Sequence, residues 1–236
     1  MAQPKRKVIN MENPWIEFIA DQDSNKFHPK DRANALGFNR AMIGRDQYLL
    51  AEHLQPFPYL GRPESPVIVL LANPGKSDAE AKKSFKLPPK KLQLANDNLL
   101  HNGTKDLRLR LHSPGHEYLE SFWFKARTKQ LVLNTSIESV AQNLFFINFH
   151  AYHSKSWYPI PFTFHTQHYS FNLLRKSIKQ NAMIIMSRNT LGWMTAVPEL
   201  SSCENLYHFR SSRSVHLSEG NLGTKAFKEI INRFTI

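Results

Sequence analysis

Pro66-Val67-Ile68-Val69-Leu70-Leu71-Ala72-Asn73-Pro74-Gly75 is the stretch whose reading decides the fold. An apolar, β-branched run of strand length stops in a small polar turn. A buried parallel strand ends in this way at the carboxyl edge of a sheet, where open α/β proteins place their ligands. Asn73 would stand at that edge on a rigid support, with a carboxamide able to donate and to accept hydrogen bonds. Gly75-Lys76-Ser77 raises the phosphate-binding P-loop as a rival. That motif needs a glycine five residues before Gly75, and the chain has Leu70 there. A structural strand-to-helix turn without chemistry is the other alternative.

Working outward, further apolar runs mark strands at 144–147, 182–186 and 206–209. Helical spacing or capping places helices at 31–54, 77–85, 116–133, 137–142, 166–180 and 191–197. A last helix follows Thr224, with Phe227, Ile230, Ile231 and Phe234 as its apolar stripe. Residues 1–12 read as a loose basic arm and 86–116 as a polar insertion. No internal repeat is visible. Alternation of strand and helix predicts one α/β domain over 1–236, a three-layer α/β/α arrangement around a four-stranded parallel sheet.

Composition narrows the function. The chain has 236 residues and a formal charge of +12, from 31 Lys and Arg against 19 Asp and Glu. A surplus of this size suggests a polyanionic partner, most simply nucleic acid. Basic runs flank the apolar strands and interleave with aromatic residues. The single cysteine, Cys203, excludes a disulfide framework, a cysteine-ligated iron–sulfur cluster and a zinc finger. No run reaches membrane-spanning length, and the expected location is a reducing cytoplasm.

In a parallel sheet the strand ends at Asn73, at Asn148 and after 209 open on one cleft. They offer amides, hydroxyls, imidazoles and cations. There is no carboxylate pair of the kind an ordinary glycosidase uses. His150 with His153 is the nearest approach to a metal site, and neither metal nor cofactor is expected.

This constellation resembles the uracil-DNA glycosylase superfamily over about residues 56–234, in order and spacing more than identity. Asn73-Pro74-Gly75 looks like the motif of its mismatch-specific uracil and thymine branch, where the asparagine positions the hydrolytic water. The resemblance implies base contacts from Phe85, as a stacking ring, and from Asn148, as reader of the base edge. Lys76, Ser212, Arg213, Ser214 and Leu217 would contact DNA, with Leu217 as a wedge in the duplex. The family's His-Pro-Ser-Pro-Leu-Ser motif is replaced by Ser212-Arg213-Ser214-Val215-His216-Leu217-Ser218, which leaves His216 as the candidate second catalytic residue. Taken singly, Phe85 and Leu217 also read as core residues, Asn148 as a strand-end cap, and the histidines as hydrogen-bonded loop residues.

The expected function is a monofunctional DNA glycosylase, acting as a monomer on DNA and leaving an abasic site. Asn148, His150, Tyr152 and His153 offer more donors and acceptors than uracil's edge can use. They predict a larger modified pyrimidine, such as the hydroxymethylated or glucosylated cytosine of phage DNA, excised in anti-phage defence. The alternatives are ordinary uracil or mismatch repair, and a catalytically inactive nucleic-acid-binding protein of the same fold.

Overall fold

The computed structural model describes residues 12–21, 26–78, 80–82, 84–102, 121–211 and 214–234. Its centre is a five-stranded sheet: β1 (Tyr59–Gly61), β2 (Val67–Leu71), β3 (Leu144–Asn148), β4 (Met183–Met186) and β5 (Leu206–His208). The spatial order is β1-β3-β2-β4-β5. β2, β3, β4 and β5 run parallel, while β1 pairs antiparallel with β3, Leu60 opposite Phe146. The sheet is therefore mixed, which corrects the expectation of a purely parallel one. β1 escapes sequence reading because it is three residues long and lies among Pro56, Pro58 and Pro63. Only its pairing with β3 makes it a strand.

The helices are α1 (Trp15–Ala20), α2 (Pro29–Ala41), α3 (Pro89–Leu99), α4 (Ser121–Asn134), α5 (Ile137–Asn143), α6 (Gln167–Lys179), α7 (Thr190–Ala196), α8 (Glu219–Leu222) and α9 (Thr224–Phe234). No helix among the described residues is long and apolar enough to cross a membrane.

Three helical expectations change. The helix predicted over 31–54 ends at Ala41, because Gly44 takes a left-handed φ of +81° that breaks the run; a short 3-10 turn, Asp46–Tyr48, follows. The helix predicted over 77–85 is a single turn. Ser77 Oγ accepts from the Glu80 amide at 3.3 Å and Glu80 Oε2 from the Ser77 amide at 2.7 Å, a capping box. Ala81, Lys82 and Ser84 are exposed, so no apolar face propagates it. Within the presumed insertion, Pro88-Pro89 opens α3 instead of breaking it, since proline suits the first helical position. The rest of that insertion and most of the basic arm lie outside the described residues.

Strand periodicity sorts the core. Val67, Val69, Leu144, Phe146, Met183 and Ile185 face one way, toward α4, α5 and α9. Ile68, Leu70, Phe145, Ile147, Ile184 and Met186 face the other, toward α1, α6 and α7. A third cluster, around Phe27, Phe38, Tyr152 and Phe164, packs beside α2. Asp31 anchors it from the first turn of α2: fully buried, its carboxylate accepts from Tyr152 Oη and Thr166 Oγ1, both at 2.7 Å, and from the His165 amide at 2.6 Å. A buried carboxylate is tolerable when its oxygens are met by donors in this way.

Candidate active site

Where β2 and β3 end, a cleft of about 540 Å³ opens on the face of the sheet that carries Val69 and Phe146. Its floor follows from register. Leu71 lies opposite Asn148, and alternation puts Asn148 on the face of Phe146. α4 closes one side with Trp123 and Arg127, the Asn73–Ser77 turn closes another, and Phe57, Ser187, Arg188 and Val215 complete the rim.

The Asn73 carboxamide is held from one side. Its Nδ2 donates to Ser154 Oγ at 2.8 Å and to the Pro74 carbonyl at 3.1 Å, and Ser154 Oγ donates on to the Ser156 carbonyl at 2.9 Å. Oδ1 takes no hydrogen bond from the described residues. Asn148, 3% exposed, is held similarly: Nδ2 donates to the Phe57 carbonyl at 2.8 Å, while Oδ1 is buried without a partner. Neighbouring strand ends thus contribute two immobilised amides, each with an acceptor oxygen to spare. An orphaned buried acceptor costs about 1–3 kcal/mol, a cost that a ligand N–H or O–H would offset.

The charged lining is Lys76, Arg127 and Arg188 against Glu80. Burial holds the Lys76 ammonium and the Arg127 guanidinium below their usual ranges. Lys76 Nζ reaches the Leu49 carbonyl at 3.3 Å. The cleft therefore combines apolar and aromatic walls with acceptor oxygens and an excess of positive charge. Among the described residues no cluster of histidine, cysteine or acidic side chains could hold a metal ion.

Of the residues singled out in the sequence, Asn73, Lys76 and Asn148 line this cleft. Phe85 is half-buried and is not part of its lining. His150, Tyr152 and His153 turn away from it, which corrects their placement in a base pocket. His150 stacks on Trp157, 5.4 Å between ring centres, and burial pushes its pKa down to about 3. Tyr152 belongs to the Asp31 cluster. His153 is a brace behind the turn: Nδ1 lies 2.6 Å from the Gly75 carbonyl and Nε2 3.1 Å from the Gln55 carbonyl.

Leu217 is fully buried in the core against α9 and α4, so it presents no wedge. Ser214 is half-buried, its carbonyl accepting from Asn221 Nδ2. Ser212 and Arg213 lie outside the described residues. His216 sits one layer behind the cleft, with Nε2 against an Arg127 nitrogen and Nδ1 at 3.1 Å from the Ala126 carbonyl.

Sequence reasoning missed Trp123, Arg127, Glu80 and Arg188. Arg188 was findable, since it stands two residues past the end of β4, and Trp123 and Arg127 share a helix face at i and i+4. No family model, curated protein or solved structure significantly matches this chain.

Proposed function

We propose that this protein is a monofunctional DNA glycosylase, with the three-layer glycosylase-like arrangement read from its sequence. The observation that carries the reading is the Asn73–Asn148 pair: two anchored carboxamides at adjacent parallel strand ends, both lining a cationic cleft and both with an acceptor oxygen that no described residue meets. The charge of +12 supports a nucleic-acid substrate.

A base inside a duplex is out of reach, so the target nucleotide is extruded into the cleft at a cost of a few kcal/mol. Phe57 and Trp123 offer apolar and aromatic surface to it. Asn148 Oδ1 accepts from an N–H on the base edge, a donor that both uracil-type and cytosine-type pyrimidines carry. Asn73 Oδ1 holds a water. The glycosidic C–N bond breaks with its electron pair leaving on the base. The water oxygen then bonds to the sugar carbon and gives up a proton, which passes through solvent to the departed anionic base. An amide is a weak base, which suits an attack that comes after departure of the base is well advanced.

With His150 stacked on Trp157, Tyr152 in the Asp31 cluster and His153 behind the turn, the specific case for an enlarged, polar base loses its support. The choice among uracil, mismatched thymine and phage-type modified cytosine becomes a question for assay. Mass spectrometry of bases released from duplexes carrying each, with alkali cleavage to reveal abasic sites, tests the proposal. Asn73→Ala should lower the rate on the order of 10²-fold or more while leaving DNA binding nearly unchanged. Binding without release of any of these bases would favour the inactive nucleic-acid-binding reading. Strand scission without alkali, trapped by borohydride, would transfer the chemistry to the Lys76 amine.

A further inference from the structure

Arg127 is a cation on the cleft wall with no counter-ion among the described residues. Its guanidinium carbon lies 5.8 Å from the centre of the Trp123 ring, and one terminal nitrogen donates to His216 Nε2. The Ala126 carbonyl, 3.1 Å from Nδ1, fixes the other end of that imidazole. A ring nitrogen facing a carbonyl carries the proton, so Nε2 is the lone-pair end and His216 is a neutral acceptor in this pair. The guanidinium Nε is buried without a partner. Among the described residues no carboxylate pairs with it.

Two neutral groups thus aim a partly desolvated cation into a cleft and leave its charge uncompensated. Such a cation is expensive unless an anion meets it, and a guanidinium suits oxyanions in particular. We propose that Arg127 binds an anionic oxygen of the substrate, and that His216 is the positioning residue that holds its guanidinium for that contact. The identity of the substrate rests on the glycosylase reading. Within it two sources supply such an oxygen. One is a backbone phosphate. The other is a carbonyl oxygen of the base as it departs with the electron pair of the broken C–N bond.

The test uses the full chain, with R127Q, H216L and H216Q, in single-turnover excision and in binding. One substrate set carries uracil or 5-fluorouracil. Another carries uracil with one phosphate at a time replaced by a neutral methylphosphonate. R127Q should lose about tenfold or more. H216L should lose part of that, and H216Q should recover much of it, because its amide oxygen can accept the same N–H. If the oxygen is a phosphate, one methylphosphonate position weakens wild type and adds nothing to R127Q. If it belongs to the leaving base, no position behaves so, and R127Q loses more on uracil than on 5-fluorouracil, the better leaving group. Wild-type behaviour of R127Q overturns the assignment. So does a loss equal on every substrate that tracks a lowered melting temperature. Failure of wild type to release any base would overturn the glycosylase reading alone if the methylphosphonate series, read by binding, still singles out Arg127. With no such position in binding either, the Arg127 assignment falls too.

Discussion

Asn148 Nδ2 donates to the Phe57 carbonyl at 2.8 Å, and that bond decides which half of the carboxamide is left without a partner. The nitrogen is engaged at the end of β3, and the oxygen is left buried without a partner beside the cleft. The site therefore asks its ligand for a donor.

Substitution separates the two halves. Asn148→Ala removes the bond and the orphaned oxygen together, and should cost about 1–2 kcal/mol of stability. Asn148→Asp sets a carboxylate against the Phe57 carbonyl in a buried position, and should cost about 3 kcal/mol or more. Both should abolish base release. Urea denaturation ranks the stabilities; equal losses, or a more stable aspartate variant, would contradict this account of the bond.

Leu217 is a core residue between α4 and α9, with its amide donating to the Arg127 carbonyl at 2.9 Å. Leu217→Ala should cost about 2–5 kcal/mol by leaving a cavity. The ratio of excision from duplex to excision from single strands should stay at the wild-type value. A selective loss on duplex DNA, with stability unchanged, would restore the wedge.

Acid should destabilise the fold through its buried histidines. Burial pushes His150 down to about 3 and His101 to about 4, whereas an unfolded chain titrates near 6.5. Between these values the unfolded state binds more protons. Stability is therefore unaffected above about 6.5, falls as pH drops through the window, and stops falling on this account below about 3. Each histidine contributes a slope approaching 1.4 kcal/mol per pH unit. His150→Phe should remove about one proton from the slope of urea stability against pH. An unchanged slope would mean that His150 is not held neutral in the folded state.

Local pattern carried the four parallel strands. A run such as Val67 to Leu71 is buried on both faces, so each residue reports the same environment without reference to its partners. The amphipathic stripe of α9 was legible for a related reason, since its spacing is a property of the helix itself. β1 was not, because three residues have no periodicity and gain their strand from β3.

The same division runs through the site. Asn73 and Asn148 were readable because strand ends place them, and Lys76 because it adjoins the turn. Tyr152 was misplaced because its direction is set by Asp31, 121 residues away in sequence. Arg127 went unnoticed because its partner, His216, is 89 residues off. The amino-acid sequence by itself determined the parallel strands and the edge on which the cleft opens, since burial and backbone period are local. Only the tertiary structure decided which loop and helix side chains enter that cleft. Outside regular elements a side chain's direction is set by the distant groups that satisfy its hydrogen bonds and charge, and no local pattern records them.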